Sequence, residues 1–315
     1  MASQVGVKTL KGRDFLSLHD FSPEEIRILL KTAEDLKTRL RAGEPCRVLA
    51  GKTLGMIFHK PSTRTRVSFE VGMVQLGGHA LMLRGDELQL RRGETIADTA
   101  RVLSRFVDGV MIRTFSHQDV VELAEHASVP VINGLTDLLH PCQGLTDLLT
   151  IEEKKGRLAG LKLAYVGDGN NVCHSLLFAA AKTGMHIAVA APDGYQPRPE
   201  ILELARGDAR STGARIEVGT DPVAAVAGAD VVYTDAWASM GQEAEHEQRV
   251  KVFAPYQVNA ALLAHARADA IFMHDLPAHR GEEVTDEVMD GPQSVVFDQA
   301  ENRLHAQKAI LALLL

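Results

Sequence analysis

The chain has 315 residues and a formal net charge of −7, and 45% of its residues are hydrophobic. This composition is that of a globular protein, and the length predicts two domains of about 150 residues each. The negative charge, without any Lys/Arg-rich block, argues against a nucleic-acid-binding protein. Three widely spaced cysteines indicate neither a disulfide framework nor a zinc site, and no apolar run has the length of a membrane span. We therefore expect a soluble cytoplasmic protein.

The first half of the chain begins with a long amphipathic helix and then alternates strands with helices. Ser22 or Asp20 can cap the first helix, and Pro23 suits its first turn. Apolar runs predict strands at 53–58, 80–83, 110–115 and 129–133. The polar segment 84–94 has no clear periodicity and predicts an exposed loop. The alternation is typical of an α/β domain with a parallel sheet.

A polar junction at 154–160 precedes a second α/β series. Strands are predicted at 161–166, 186–190, 215–218, 231–234 and 270–274, and Asp298 is predicted to cap a final helix. We therefore predict two doubly wound parallel-sheet domains with the active site in the cleft between them. The first comprises residues 1–147, with the C-terminal helix 299–315 packed back on it, and the second comprises 148–298.

The segment Ser62-Thr-Arg-Thr-Arg66 joins a strand to a helix and has the chemistry of an anion site. Pro61 suits the first turn of that helix, whose free N–H groups lie at the positive end of its dipole. With the Arg64 guanidinium and the hydroxyls they predict a phosphate socket. The alternative is an ordinary N-cap with a solvated basic first turn, but two arginines there oppose the dipole. Val67, Val71, Val74 and Leu76 are spaced for one face of this helix.

Other polar residues also stand near the carboxyl ends of predicted strands or directly after them. They are Arg113, Asn171, Asp235, His274 and Asp275. Because ligands of open parallel sheets bind at the carboxyl ends of the strands, we expect these side chains to converge on one site.

Several separated motifs resemble those of the aspartate/ornithine carbamoyltransferase family. Ser62-Thr-Arg-Thr-Arg66 and His140-Pro-Cys-Gln143 carry the resemblance, and residues 235–243 narrow it to the ornithine enzymes. The likeness runs nearly end to end, through His274-Asp-Leu-Pro277 and Ala300-Glu-Asn-Arg303. It implies transfer of a carbamoyl group from carbamoyl phosphate to ornithine, in arginine biosynthesis, without metal or cofactor. It also implies a homotrimer, in which the loop around Gln89 reaches into a neighbouring site.

The resemblance also implies two sets of binding residues. Carbamoyl phosphate is expected at Ser62, Thr63, Arg64, Thr65, Gln89, Arg113, His140, Gln143, Asp275, Leu276 and Arg303. Ornithine is expected at Leu135, Asn171, Asp235, Ser239 and Met240. Arg64, Arg113, His140 and Asp275 are expected to be catalytic.

The chemistry of these residue types fits the carbamoyl phosphate side. Arg64 and the hydroxyls can stabilise the leaving phosphate, while Arg113, His140 and Thr65 can polarise the carbonyl oxygen. Gln143 stands three residues after His140 and can accept from the carbamoyl NH₂. His140 as a helix-capping residue, and Arg113 in a strand-end salt bridge, are open alternatives. Arg66, two residues from Arg64, is predicted to be structural.

On the ornithine side, Asp235 can pair with the α-ammonium group and Asn171 can donate to the α-carboxylate. The Ser239-Met240-Gly241 segment contains no Arg or Lys, which favours a cationic substrate side chain over aspartate. The turn at 167–171 resembles a dinucleotide fingerprint only weakly, because its third glycine is missing. Trp237 is predicted to serve packing.

Asp275 departs from the family pattern, which usually has cysteine at this position. We hypothesise that Asp275 contacts the δ-amine of ornithine and helps to orient or deprotonate it. A carboxylate attracts an ammonium group strongly and would raise the pKa of the amine. The alternatives are therefore a transferase for putrescine or an N-acylated ornithine, or a non-catalytic sensor. His59 is a smaller departure and is assigned no catalytic role.

Overall fold

The computed structural model describes residues 10–85, 88, 93–238 and 245–315. It divides into two compact units. The first unit consists of the described parts of Met1–Leu149 together with Asn302–Leu315, and the second unit consists of the described parts of Thr150–Glu301. Within the described ranges, no helix is both long enough and apolar enough to cross a membrane.

The first unit contains a four-stranded, fully parallel sheet in the order β2-β1-β3-β4. Its strands are β1 (Thr53–Phe58), β2 (His79–Arg84), β3 (Gly109–Arg113) and β4 (Val131–Leu135). Its helices are α1 (Pro23–Arg41), α2 (Thr63–Gln75), α3 (Ile96–Leu103), α4 (His117–His126) and the start of α5 (Pro141–Lys155). The predicted parallel-sheet α/β architecture is confirmed here.

Helix α1 begins as its sequence predicts. Ser22 is the N-cap, with its hydroxyl accepting from the Glu25 N–H, while the Glu25 carboxylate accepts from the Ser22 N–H. This capping box satisfies two of the N–H groups that a helix start leaves open. Pro23 occupies the first turn, and the apolar stripe from Ile26 to Leu36 is buried.

Helix α2 differs from the prediction in two ways. Ser62 is its N-cap, so Pro61 stands before the helix and not in its first turn. The buried face consists of Phe69, Gly72 and Met73, while Val67, Val71 and Val74 lie on the exposed surface. The valine spacing marks one face correctly, but a helical period alone does not tell which face meets the core.

The second unit contains a five-stranded, fully parallel sheet in the order β7-β6-β5-β8-β9. Its strands are β5 (Lys162–Val166), β6 (His186–Ala190), β7 (Ile216–Gly219), β8 (Val231–Tyr233) and β9 (Ile271–Met273). The helices from here on are α6 (Asn171–Thr183), α7 (Pro199–Ala209), α8 (Pro222–Val226), α9 (His246–Phe253), α10 (Ala260–Leu263), α11 (Asp286–Met289) and α12 (Val296–Leu314). The second predicted parallel sheet is thus also confirmed.

Two local predictions in this part of the chain have different outcomes. Asp298 lies in the first turn of α12 and forms an ion pair with Lys154, so it is not the N-cap that was predicted. Trp237 is buried and stacks on Phe253 with ring centroids 5.8 Å apart, which confirms its packing role. A carboxylate in a first turn still interacts favourably with the helix dipole.

Candidate active site

The carboxyl ends of β1, β3 and β4 bring the predicted anion-binding residues to one edge of the first sheet. The Ser62 hydroxyl accepts from the Thr65 N–H at 3.2 Å and donates to the Thr65 hydroxyl at 3.1 Å. Arg113 is the last residue of β3 and pairs in register with Leu135 at the end of β4. The predicted placement of these side chains after the strand ends is therefore observed within this unit.

Helix α12 adds a further arginine to this edge. Arg303 is 3% exposed and donates from its guanidinium to the Thr65 hydroxyl at 2.8 Å. Thr65 is fully buried, and its side-chain oxygen accepts hydrogen bonds from both Ser62 and Arg303. Since 238 residues separate Arg303 from Thr65, this contact depends on the return of the C-terminal helix.

His140 lies within this group of arginines. Burial lowers the pKa of His140 well below its usual range, and the charges of Arg303, Arg113 and Arg64 lower it further, in that order. The imidazole is therefore neutral at pH 7, with one ring N–H to donate and one nitrogen to accept. Three guanidinium groups around a neutral imidazole create a positive potential suited to a multivalent anion.

Gln143 follows in the first turn of α5 and is fully buried. Its amide NH₂ donates to the Asp147 carboxylate at 2.8 Å, one turn further along the helix. Among the described residues, the Gln143 side-chain oxygen has no hydrogen-bond partner. Asp147 thus orients the amide and leaves a buried acceptor, which a ligand N–H group can satisfy.

The arginine predicted to be structural behaves differently from the buried ones. Arg66 is half exposed and forms an i,i+4 ion pair with Glu70 at 3.3 Å. Such a surface pair contributes little to stability. Arg64 differs in that its charge lowers the pKa of His140, and the division of roles between the two arginines stays a prediction.

In the second unit, a separate group of polar side chains lies at the carboxyl ends of β5, β8 and β9. Asp235 follows β8 and is 9% exposed. Its two oxygens accept from the Asn170 side-chain NH₂ and from the Ala236 N–H, both at 2.7 Å. Asn170 is also the N-cap of α6, which begins at Asn171. The turn after β5 therefore positions Asp235 directly.

Asp275 lies next to Asp235, after β9. One oxygen of each carboxyl group and one nitrogen of His274 lie within 4.8 Å of one another. Burial raises the pKa of Asp235 well above its usual range, and the charge of Asp275 and a hydrogen bond with it raise the pKa further. The site thus favours a protonated or cation-bound carboxyl group at this position.

His274 is held in one tautomer by its two ring contacts. Its Nδ1 accepts from the Leu276 N–H at 2.9 Å, so the proton resides on Nε2 and is donated to the buried Glu283 at 3.1 Å. The Nδ1 lone pair is thereby occupied, so the cluster of Asp235, His274 and Asp275 does not offer three free metal ligands. Leu276 has a positive φ of 62°, which is uncommon for a residue with a Cβ.

A third acidic residue completes this group. Asp168 follows β5, and burial raises its pKa to about 6 although the nearby Arg249 lowers it. The two side chains form a buried ion pair at 2.9 Å, and Arg249 also donates to the Trp237 carbonyl at 2.8 Å. Asp168 therefore pairs with a residue of α9.

Sequence reasoning missed several residues that hold the predicted ones in place. Asn170, Asp147 and Glu283 orient Asp235, Gln143 and His274, respectively. The i,i+4 spacing of Gln143 and Asp147 was a detectable signal. Three predicted residues, Gln89, Ser239 and Met240, lie outside the described residues, as does most of the predicted loop at 84–94.

Comparisons with known proteins agree across both units. The carbamoyl-P binding domain of aspartate/ornithine carbamoyltransferase matches residues 13–153, and the Asp/Orn binding domain of the same family matches residues 159–314. Two similar curated proteins are named ornithine carbamoyltransferase. The one from Thermococcus kodakarensis is 63% identical over 98% of both chains, and the one from Symbiobacterium thermophilum is 65% identical over 98% of this chain and 99% of its own.

A solved structure gives the same result at the level of the fold. The ornithine carbamoyltransferase from Pyrococcus furiosus superposes with a TM-score of 0.94 at 61% identity, covering 97% of each chain. Two family models together span nearly the whole sequence, and relatives above 60% identity match along their full length. The chain therefore belongs to the aspartate/ornithine carbamoyltransferase family, on the branch formed by the ornithine carbamoyltransferases.

Proposed function

We propose that the chain transfers the carbamoyl group of carbamoyl phosphate to the δ-amine of L-ornithine, producing L-citrulline and phosphate. The observation that carries this proposal is the convergence of Arg64, Arg113 and Arg303 on the buried, neutral His140. A carbamoyl phosphate molecule offers what this group requires, namely a phosphate next to a carbonyl oxygen. The family match and the names of the relatives support the same reaction.

The leaving phosphate is assigned to the start of α2. Arg64, the N–H groups of the first helical turn and the hydroxyls of Ser62, Thr63 and Thr65 stabilise its growing negative charge. Arg303, already bonded to Thr65, adds a guanidinium group to the same anion. Arg303 and Thr65 are held together before the reaction, whereas the Ser62 hydroxyl has to exchange its bond to Thr65 for one to the phosphate.

The carbonyl oxygen is assigned to Arg113, His140 and Thr65. Attack by the δ-nitrogen converts the carbonyl into a tetrahedral oxyanion, and a neutral His140 donates a hydrogen bond to it without supplying a proton. The side-chain oxygen of Gln143 accepts from the carbamoyl NH₂ and so fixes the rotation of the group. Collapse of the intermediate breaks the C–O bond and expels phosphate, which takes up the proton that the former δ-amine loses as it becomes the citrulline ureido nitrogen.

The amino acid is assigned to the second unit, and the resemblance adds Leu135 of the first unit. Asp235 pairs with the α-ammonium group and Asn171 donates to the α-carboxylate. Asp275, which lies next to Asp235, is assigned a place between the α-ammonium group and the δ-amine, and the Leu276 backbone is assigned to the reacting end. Ser239 and Met240 are proposed to complete the ornithine site, and Gln89 is proposed to serve the carbamoyl phosphate site of an adjoining subunit. These roles come from the family resemblance and stay predictions.

We further propose that the chain forms a homotrimer in the cytoplasm and supplies arginine biosynthesis. The exposed apolar stripe of Val67, Val71 and Val74 on α2 supports a subunit contact, because helix faces of this kind are normally covered. A Val71→Glu substitution should lower the mass found by light scattering from trimer to monomer. Phe106→Glu, at another exposed apolar position, is the matched control and should leave the trimer intact.

The deciding experiment measures phosphate release from carbamoyl phosphate with and without L-ornithine, together with citrulline formation. Ornithine-dependent release with equal amounts of citrulline supports the proposal. Release that depends on putrescine or N-acetylornithine instead would reassign the amine. No amine-dependent release, with binding of both ligands retained, would leave a sensor.

A further inference from the structure

The two carboxyl groups of Asp235 and Asp275 occur on neighbouring parallel strands. They follow β8 and β9, which pair through Val231 and Ile271, so both project from the same edge of the sheet. One oxygen of each carboxyl group lies within 4.8 Å of the other, Asp275 is only 12% exposed, and a hydrogen bond between the two side chains helps to raise the pKa of Asp235. Two ionised carboxylates can only accept hydrogen bonds, so this contact requires a proton between them.

The remaining contacts of Asp235 direct a ligand toward that shared proton. Asn170 donates to one oxygen and Ala236 donates to the other, both at 2.7 Å. The lone pairs of Asp235 that remain for an incoming ammonium group are therefore those that share the proton with Asp275. A cation that enters there takes the place of the proton and bridges the two carboxylates.

The other titratable groups near the pair have contacts or shifted pKa values of their own. His274 uses both ring nitrogens, with Nδ1 accepting from the Leu276 N–H and Nε2 contacting the buried Glu283. Burial raises the pKa values of Tyr165 and Cys173, which keeps both uncharged at pH 7. Asp168 is acidic and is bonded to Arg249, which also binds Glu245 at 3.0 Å.

We propose, on the basis of the proposed function, that Asp235 and Asp275 act as one carboxyl pair that exchanges a shared proton for the α-ammonium group of ornithine. The free pair holds one proton and one negative charge. In the complex both carboxylates are ionised, the ammonium bridges them, and the displaced proton passes to solvent. The free pair and the ammonium group together have a charge of zero; the complex has one negative charge, and the released proton carries the balancing positive charge. Asp275 is thus a specificity residue that makes the site respond to a cation.

The physical basis is the repulsion between like charges at short range. Two carboxylates that share a site cannot both ionise until a cation or bulk solvent compensates them. Since the pair titrates as a unit, ligand affinity should rise with pH, by up to about tenfold per pH unit, until the free pair loses its proton. A cysteine or asparagine at 275 cannot share a proton between two carboxylates in this way.

The test uses L-norvaline, which has the chain length of ornithine without the δ-amine, so that the substrate's reactive group contributes no proton. Norvaline is titrated calorimetrically into the full-length protein saturated with a phosphonate analogue of carbamoyl phosphate. Repeating the titration in two buffers of different ionisation enthalpy gives the number of protons released. We expect about one proton per norvaline bound at pH 7 for the unaltered chain. No binding, or binding without proton release, overturns the proposal.

Substitutions identify the source of the proton. Asp275→Asn keeps a hydrogen-bonding side chain and should reduce the release to a small fraction, whereas Asp168→Asn removes a nearby acid outside the pair and should not. Equal release from the unaltered chain and Asp275→Asn, or loss of release in Asp168→Asn, contradicts the proposal. If Asp275→Asn does not fold, Asp275→Cys takes its place with the same expectation. Citrulline formation is assayed separately, so an active enzyme that releases no proton refutes the pair and leaves the proposed function standing.

Discussion

The two sheets have the same parallel architecture, yet their carboxyl edges carry opposite charge. At the first, arginines from α2, β3 and α12 surround a neutral histidine. At the second, Asp168, Asp235 and Asp275 lie near one another after three strands. Both edges offer the same backbone geometry for a ligand. Side chains at a few strand ends, and not the fold, therefore determine the charge of the ligand that each unit can bind.

The opposite charges have opposite effects on the neighbouring titratable groups. Burial lowers the pKa of His140 and raises that of Asp235, because burial disfavours the charged form of either group. The neighbours add to each effect, since cations surround the histidine and another carboxyl group faces the aspartate. Each edge therefore keeps its central group neutral in the absence of a ligand of opposite charge.

The largest expected effect comes from removing a cation from the first edge. Arg64→Ala should lower kcat/KM for carbamoyl phosphate by about 10²–10³-fold, because it removes a charged donor to the leaving phosphate. Steady-state kinetics at saturating ornithine measures the loss. Arg66→Ala is the matched control, since Arg66 lies two residues away on the same helix and pairs with Glu70. Similar losses in both variants would show that general positive charge, and not this placement, matters.

A smaller effect is expected from removing a carboxylate from the second edge. Asp235→Asn should raise the KM for ornithine by the equivalent of about 1.5–3 kcal/mol, or roughly tenfold to 150-fold, the range for a hydrogen bond to a charged group. The KM for carbamoyl phosphate should stay within about twofold of its original value, because Asp235 is not among its predicted ligands and most of these lie in the first unit. The exposed Asp193 gives the control variant Asp193→Asn. Equal rises in both KM values would contradict the separation of the two sites.

The sequence predicted the carboxyl end of each strand to within about two residues, which was enough to locate the principal polar residues. Strand ends follow from local apolar runs, so Arg113, Asp235 and Asp275 could be located without tertiary information. The contact between Arg303 and Thr65 could not be predicted in this way, because no local pattern links positions 238 residues apart. Only the family resemblance assigned Arg303 to the same ligand.

The buried face of α2 and the contact of Asn170 were not predicted either, because both depend on tertiary packing. The valine stripe of α2 has the period of a core face, but Gly72 packs against the Lys308 stem of α12 and turns the opposite face inward. Asn170 belonged to a turn that resembled a nucleotide motif, and its bond to Asp235 depends on β5 and β8 being neighbours. Strand order is not encoded in the local pattern of either strand.

The smallest expected effect is a pair of opposite pH dependences of stability. His140, with its lowered pKa, takes up a proton more readily in the unfolded chain, so it costs stability as pH falls below about 6.5. Asp235, with its raised pKa, keeps its proton in the folded state, so its contribution is lost as pH rises above about 3.9 toward the folded pKa. Relative to the unaltered chain, His140→Gln should gain stability toward acid and Asp235→Asn toward neutral pH. Each difference has a maximum slope of about 1.4 kcal/mol per pH unit.

Denaturant midpoints measured across about pH 5–8 test this, with the exposed His79→Gln and Asp193→Asn as controls for loss of an imidazole or a carboxyl group. The controls should give flat differences. Bound phosphate should reduce the acid-side difference of His140→Gln, because an anion among the three arginines offsets the charges that lower the pKa of His140. Differences of the same sign for the two site variants would mean that their central groups are not both held neutral, and the contrast between the edges would then fail.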